Sequence, residues 1–485
     1  MPNPSTSGNE NAVSADTIKQ RLFFIVLVAT MGALAFGYDT GIISGALPFM
    51  TKPLDQGGLN LTPFTEGLVT SALIFGAAIG ALLSGFVSDR FGRRITLRSL
   101  ALIFVLGALG TTLAPNVHIM VVMRFLLGIA VGGGSSTVPV FIAEIAGPRH
   151  RAPLVSRNEL MIVAGQLIAY IVSALMSVLL HDNHLWRYML VLATIPGLLL
   201  FIGTFFVPGS PHWLVAEGRL RDAVRIMRRL RRSRKEVRKE INEMREQAKA
   251  SREGPSTKEL LKERWVVRLL LLGIGMGAVA QFTGVNAFMY YTPIILKTTG
   301  LGTNASLTAT IGNGVVAVIA ALLALKAVSH VKRRSMLIFG LIAVILMQVA
   351  LGSVLIFLPK DLTQSYLALA CILLFLFFMQ MCVAPIYWLL MSELFPMKLR
   401  GALTGTAVAC QWICNAAVAF AFPPMLSAMG NQTFYVFAAV NVVSLIFVCY
   451  CLPETKDKSL EEIETMMRKR YSKTDEVIPP TIKNA

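Results

Sequence analysis

Twelve apolar stretches, each about twenty residues or longer, constrain the fold of this chain more than any other feature of its sequence. They lie near residues 22–49, 64–87, 95–114, 118–146, 153–180, 187–207, 266–297, 305–328, 335–358, 364–394, 402–425 and 432–452. A helix of about twenty residues spans the roughly 30 Å hydrocarbon core of a bilayer, and lipid offers the backbone no hydrogen-bond partners. The sequence therefore predicts an all-α membrane protein with twelve transmembrane helices.

The composition argues against a water-soluble enzyme. Of 485 residues, 55% are hydrophobic and 15% are charged, whereas about a quarter of the residues in a soluble domain are charged. The chain has no Gly-Lys pair and hence no P-loop, and its six histidines all fall at predicted loops or helix ends. Its six cysteines lie in apolar stretches, as reduced packing residues do. We expect no enzymatic activity, no metal site and no cofactor.

Positive charge is concentrated in alternate loops. The loops after the second, fourth, eighth and tenth stretches contain Arg90, Arg93, Arg94, Arg149, Arg151, Lys332, Arg333, Arg334, Lys398 and Arg400. Because cytoplasmic loops are enriched in Lys and Arg, this pattern places both termini in the cytoplasm. The sequence thus divides into a polar N-terminus (1–21), a six-helix half (22–207), a basic linker (208–265), a second six-helix half (266–452) and a cytoplasmic tail (453–485).

The region between the sixth and seventh stretches holds much of the chain's net charge of +18. Residues 219–268 contain 18 Lys or Arg and 8 Asp or Glu, a net of +10. Val237, Ile241, Met244 and Ala248 recur at helical spacing there, which predicts short amphipathic helices. A basic segment beside anionic headgroups favours contact with membrane lipid over a nucleic-acid partner.

The two halves repeat each other's loop chemistry. Asp89 to Arg94 after the second stretch corresponds to Ser329 to Arg334 after the eighth. Glu144 and Arg151 flank the turn after the fourth stretch, and Glu393 and Arg400 flank the turn after the tenth at the same spacing. Two pseudo-symmetric six-helix halves are typical of a duplicated transporter, whose substrate site lies between the halves near the membrane midplane.

Several motifs, taken together and in order, resemble the sugar porter family of the major facilitator superfamily from about residue 22 to 465. They are Gly85-Phe-Val-Ser-Asp89-Arg90-Phe-Gly92-Arg93-Arg94, Trp186-Arg187, Gln281-Phe-Thr-Gly284-Val-Asn286, Tyr290-Tyr291, Ser392-Glu393-Leu-Phe-Pro396 and Pro453-Glu454-Thr455-Lys456. The resemblance implies the major facilitator fold and transport by alternating access.

Asp39 is a carboxylate inside the first apolar stretch, and Arg124 in the fourth is its obvious counter-ion. The resemblance implies an aspartate at this position in proton-coupled bacterial members. Burial favours the protonated carboxyl group and a nearby guanidinium favours the ionised one, so a moving Arg124 could switch Asp39 between the two. A static ion pair that fixes the first helix on the fourth is the alternative.

A second group of residues is implied to bind the substrate. By resemblance it comprises Phe36, Gln166, Gln281, Asn286, Tyr291, Trp388, Gln411 and Trp412, and Asn415 and Asn313 can join it. Amides exchange hydrogen bonds with hydroxyl groups, and aromatic rings stack on the apolar faces of sugars. Any one of these amides could instead tie helices together.

The chain departs from the family pattern at Ala280 and Ala317, where amides are common, and at Gly209 and His212, where charges are usual. The segments Asn158-Glu159-Leu-Met-Ile-Val163 and Gly312-Asn-Gly-Val315 resemble bacterial carriers of inositol and related polyols.

A third group is predicted to gate the transport pathway through ion pairs: Asp89, Arg93, Glu144, Arg151, Glu393 and Arg400. The alternative is that these are ordinary surface ion pairs, each worth about 0–1 kcal/mol.

The function predicted from the sequence is a proton-coupled symporter that imports a neutral polyhydroxylated solute, with myo-inositol as the leading substrate. A facilitative uniporter, a carrier of another small organic solute and a transporter-like nutrient sensor remain open. We expect a monomer in a bacterial inner membrane.

Overall fold

A computed structural model describes most of the chain: residues 15–146, 151–180, 182–231, 233–253, 263–395, 400–455, 462 and 465–466. Side chains are not described at 15, 151–156, 247–253, 329, 392–393 and 400–402. The predicted tail at 453–485 therefore falls largely outside the described residues.

The described residues are almost entirely helical. The α-helices are α1 (Ala15–Met50), α2 (Pro63–Phe91), α3 (Arg93–Leu113), α4 (Val117–Ile145), α5 (Arg151–Leu179), α6 (Leu185–Val191), α7 (Thr194–Phe206), α8 (Pro211–Ala216), α9 (Leu220–Leu230), α10 (Arg234–Glu253), α11 (Arg264–Phe282), α12 (Val285–Thr298), α13 (Thr303–His330), α14 (Arg333–Phe357), α15 (Leu362–Phe378), α16 (Ala384–Glu393), α17 (Arg400–Met429) and α18 (Thr433–Cys451).

The apolar helices account for twelve membrane crossings. Eleven continuous apolar segments are long enough to span a bilayer, and the last of them, Leu403–Cys451, has 49 residues. At 1.5 Å per residue it would be about 74 Å long, far more than one crossing needs. It contains α17 and α18, separated by a 3₁₀ turn at Gly430–Gln432, and so crosses twice. The predicted all-α membrane fold with twelve spans is confirmed.

Three of the spans consist of two helices each. α6 joins α7, α11 joins α12, and a π-helical segment at Met379–Val383 joins α15 to α16. The break between α11 and α12 occurs at Gly284, whose φ of 80° is a left-handed conformation that glycine adopts without strain. Gln348 donates a hydrogen bond to the carbonyl oxygen of Thr283 (2.8 Å), and Asn441 donates one to that of Phe282 (3.3 Å). Buried amides thus satisfy the backbone where the helix is interrupted.

Corresponding arginines make the same contacts in both halves. Arg93 Nη1 donates to the carbonyl oxygen of Ser88 at 3.2 Å, and Arg333 Nη1 donates to that of Val328 at 3.2 Å. The next arginine in each half binds the end of that half's sixth span. Arg94 donates to the carbonyl oxygens of Thr204 and Phe205 at 2.8 and 2.6 Å, and Arg334 donates to that of Cys449. We call the contact of Arg94, or of Arg334, with the end of the sixth span of its half an arginine clasp.

The linker between the halves is helical, as its apolar spacing predicts. Within it, α8, α9 and α10 pack around a small apolar core of their own, in which Val237, Ile241 and Met244 are buried. The side chain of Ala248 lies outside the described residues. Arg21 of α1 donates to the carbonyl oxygen of Arg229, so α1 begins on the same end of the bundle as the linker. We call this end the linker face and the opposite end the distal face.

The first helix begins earlier than predicted. α1 begins at Ala15, ahead of the apolar stretch that starts near residue 22. Its first turn contains Asp16, and an acidic residue near a helix N-terminus is favoured by the helix dipole.

The two halves are in close contact toward the distal face. Thr70 of α2 lies 3.0 Å from the hydroxyl group of Tyr291, and the rings of Phe64 and Phe420 pack edge to face at 5.4 Å. A Cβ atom added to Gly67 would lie 2.5 Å from the carbonyl oxygen of Phe420, so the backbones of α2 and α17 almost touch there. We call these five residues the distal seam.

Candidate functional site

The centre of the N-terminal half contains a buried ion pair. Arg124 Nη1 lies 2.9 Å from both carboxylate oxygens of Asp39, and the two side chains are 1% and 2% exposed. Arg124 Nε also donates a hydrogen bond to the carbonyl oxygen of Val69 at 3.4 Å. The structure therefore brings together the two residues predicted for proton coupling and joins α1, α2 and α4 through them.

Three of the predicted amides bind one another. Asn286 Nδ2 donates to Asn415 Oδ1 at 2.8 Å and to Gln281 Oε1 at 3.2 Å. This network crosses the break between α11 and α12 and ties it to α17. Gln411 is also buried, and its Oε1 accepts a hydrogen bond from Tyr387 at 3.4 Å. The helix-tying alternative therefore describes part of what these amides do.

Three other predicted side chains have buried polar atoms without a hydrogen-bond partner among the described residues. These atoms are Gln166 Oε1, Asn313 Oδ1 and Trp412 Nε1. The helices that carry Gln166 and Asn313 are in close contact, because a Cβ atom added to Gly314 would lie 2.8 Å from Leu167 Cα. The set offers two acceptors and one donor, and such groups are costly to bury unless a ligand or water binds them.

The two amides, Gln166 and Asn313, are each fixed by a neighbour that sequence reasoning did not single out. Gln166 Nε2 contacts the sulfur of Met289 at 3.9 Å, and Asn313 Nδ2 donates to Thr292 at 2.9 Å. Because the donor ends of both amides are held by α12, their unpartnered oxygens are the ends left for a ligand.

The predicted aromatic residues occupy different environments. The rings of Phe36 and Trp412 meet edge to face across the two halves, 5.9 Å apart. Tyr291 is fully buried and bonded to Thr70 in the distal seam. Trp388 is 42% exposed and packs against the ring of Tyr387 at 5.2 Å.

Glu159 is an exposed carboxylate on the interior side of α5. It precedes Gln166 by about two helical turns, so the two share a face, and it precedes the exposed Ile168 by about two and a half turns. Ile168 and Leu175 mark the outer face of α5, and Glu159 therefore points the other way, between the halves. Its exposure there indicates a space that opens toward the linker face, where α5 begins.

The predicted gating residues that are described form one cluster at the linker face. Arg93 binds Asp89 at 2.9 Å and Glu144 at 3.0 Å, and Glu144 also accepts a hydrogen bond from the hydroxyl group of Ser210. Ser210 thus contacts the cluster through a neutral hydroxyl group, between Gly209 and His212, where the family usually has charges. Gly92, between α2 and α3, has a φ of 87°, as a tight turn requires.

This cluster lies entirely within the N-terminal half and its linker. The side chains of Arg151, Glu393 and Arg400, predicted to pair across the halves, lie outside the described residues.

Fold and site together define a twelve-span membrane carrier with two six-helix halves and a polar centre. The family model for sugar (and other) transporters matches residues 25–467, and the chain belongs to that family of transporters, which are not enzymes. It therefore has the major facilitator fold expected from its motifs.

Curated relatives cover nearly the whole chain. YncC of Bacillus subtilis, named as a metabolite transport protein without a stated substrate, is 46% identical over 93% of this chain and 96% of its own. The major myo-inositol transporter IolT of the same organism is 44% identical over 92% of this chain and 94% of its own.

Solved structures agree with the fold. The inward open conformation of the xylose transporter XylE from E. coli has a TM-score of 0.79 at 29% identity, over 92% of this chain and 99% of that one. XylE described as a proton:xylose symporter, bound to 6-bromo-6-deoxy-D-glucose, has a TM-score of 0.75 at 29% identity, over 93% and 99%.

Proposed function

We propose that this protein is a proton-coupled symporter that imports a neutral polyhydroxylated ring, with myo-inositol as the leading substrate. The observation that carries the proposal is the set of unpartnered polar atoms on Gln166, Asn313 and Trp412. A hydroxyl group both donates and accepts hydrogen bonds, so a polyol can satisfy two acceptors and a donor at once. The similarity to IolT supports an inositol in particular.

The charges near this site favour a neutral ligand. Arg124 is the buried cation there, and both of its short contacts go to Asp39. Besides Asp39, Glu159 on the interior face of α5 is a second carboxylate, and it repels anions. A carboxylate also accepts strong hydrogen bonds from hydroxyl groups, so Glu159 joins the proposed substrate set.

Asp39 is the proposed proton-coupling residue. The return of the Arg124 guanidinium is proposed to make Asp39 release its proton. Both are fully buried, and a buried carboxylate that loses its guanidinium partner is strongly favoured in the protonated form. Withdrawal of Arg124 during the conformational cycle therefore drives proton uptake by Asp39. The proton:xylose symporter XylE supports this assignment.

The linker face is proposed to be cytoplasmic, with both termini on that side of a bacterial inner membrane and a monomeric chain. The basic loops and linker support this orientation through the excess of Lys and Arg in cytoplasmic loops. The similarity to inward open XylE agrees with it, because the distal seam is closed and Glu159 is accessible. The cluster of Asp89, Arg93 and Glu144, extended by Arg151, Glu393 and Arg400, is the proposed cytoplasmic gate.

Uptake of tritiated myo-inositol into proteoliposomes, with and without an imposed inward proton gradient, tests the proposal. Accumulation above the external concentration only with the gradient is the expected result. Equilibration without accumulation would instead indicate a facilitative uniporter, and no uptake of any solute would favour a sensor.

Competition against the labelled substrate tests the ligand class. We expect displacement by inositols, hexoses or pentoses. Displacement by sugar acids alone would overturn the neutral-ring assignment.

A further inference from the structure

Glu66 is a carboxylate enclosed in the distal seam. It lies in the first turn of α2, one turn before Thr70 and directly before Gly67, and it is only 8% exposed. Thr70 contacts Tyr291 of the other half, and Gly67 lies against the backbone at Phe420. Closure of the seam therefore encloses Glu66 between the halves.

The carboxylate of Glu66 lacks the partners that usually accompany buried charge. Its Oε1 atom has no hydrogen-bond partner among the described residues. Two N–H groups of the helix N-terminus are already used within the first turn. The N–H group of Glu66 donates to the Thr62 carbonyl oxygen at 2.8 Å, and that of Thr65 donates to the Thr62 hydroxyl group at 3.3 Å.

Two titratable or charged side chains approach this part of α2 from the helices packed against it. Tyr291 of α12 is near enough to interact electrostatically with Glu66, but its hydroxyl group is bonded to Thr70. Arg124 of α4 reaches the backbone at Val69, but its guanidinium is held by Asp39. Neither forms an ion pair or hydrogen bond with Glu66 in the described residues.

We propose that Glu66 is a second proton-binding site, which must bind a proton for the distal seam to close. In the closed seam the neutral acid avoids the cost of a buried, unpaired carboxylate. When the seam opens, water reaches the side chain and the ionised form becomes stable. This proposal rests on the orientation proposed above, which makes the distal face extracellular, and it is independent of Asp39 and of the substrate.

The proton bound by Glu66 comes from and returns to the same side of the membrane. Glu66 is buried in the closed seam of this structure while Glu159 is exposed, so Glu66 stays enclosed as the linker face of the bundle opens. Its proton is released only when the seam reopens. Glu66 therefore makes seam closure depend on external pH and adds nothing to the number of protons carried per substrate.

Labelling of a cysteine in the seam tests this inference without any substrate. In the full chain with its six cysteines replaced by serine, Ala419→Cys introduces a thiol that is buried when the seam is closed. Its reaction rate with a membrane-impermeant maleimide is measured in proteoliposomes from external pH 5.5 to 8.5. Leu54→Cys, in the exposed distal turn, corrects for ionisation of the thiol.

With Glu66 present, we expect the corrected labelling rate to rise with pH, by at most about tenfold per pH unit because one proton is involved. Glu66→Gln should remove the rise, and Glu66→Asp should retain it. Asp55→Asn, which removes an exposed carboxylate on the same face, should leave it intact. A flat profile in the parent protein, or the same rise in Glu66→Gln, would overturn the proposal.

Discussion

Replacement of Asp39 by asparagine tests the proposed coupling residue, and the structure sets the expected cost. Arg124 is 1% exposed and places one nitrogen 2.9 Å from both oxygens of Asp39. Removal of one partner from a buried ion pair costs about 3–5 kcal/mol, because the remaining charge is uncompensated. Asparagine keeps one oxygen for Arg124, so the lower end, about 3 kcal/mol of unfolding free energy, is expected.

A charge-neutral double variant separates this cost from the loss of function. Asp39→Asn combined with Arg124→Gln leaves no buried charge, so its thermal unfolding temperature should lie between those of the parent and Asp39→Asn. A double variant less stable than the single variant would refute the electrostatic reasoning.

Two transport assays on Asp39→Asn then report on coupling. Gradient-driven accumulation of tritiated myo-inositol should be lost, because asparagine cannot bind and release a proton. Counterflow, in which labelled and unlabelled solute exchange without net proton movement, should remain. If Asp39→Asn still concentrates solute as the parent does, Asp39 is not the coupling residue.

Three further variants test the site and the seam. Gln281→Ala should weaken binding of labelled myo-inositol by about 1–3 kcal/mol, since a buried hydroxyl group loses its partner; unchanged affinity would place the site elsewhere. Trp412→Phe keeps an aromatic ring but removes the unpartnered N–H group, and should cost about 0.5–1.5 kcal/mol of affinity; no loss of affinity would mean that the ligand does not bind this group. Gly67→Ala should hold the seam open and raise external labelling of a seam cysteine, because its Cβ would lie 2.5 Å from the Phe420 carbonyl oxygen; Gly134→Ala, where nothing lies within 4 Å, is the matched control, and equal labelling in the two would refute the steric argument.

The sequence predicted the features that depend on local composition. Hydropathy located the twelve spans, and the lone intramembrane charges identified the contact between Asp39 and Arg124. Helical spacing in the linker predicted that Val237, Ile241 and Met244 share a buried face, as they do.

Features that depend on tertiary contacts were not predictable. The stretch 266–297 is continuously apolar, yet its helix breaks at Gly284, because Gln348 and Asn441 from other spans stabilise the interruption. The contact of Ser210 with Glu144 was also missed, since the family charges lost at Gly209 and His212 suggested loss of the ionic latch. Glu159 was part of a motif, but its exposure depends on which face of the bundle is open.

The arginine clasps determine where this molecule can bend. Each clasp fastens the start of the third span in its half to the end of the sixth, through Arg94 in one half and Arg334 in the other. Each half is thus closed on itself at the linker face, and shear between its own helices would break charged hydrogen bonds. Each six-helix half is therefore held together at the linker face by a contact of its own. The two halves can therefore move against each other without breaking either clasp, and a cut in the linker should leave two fragments that can still assemble.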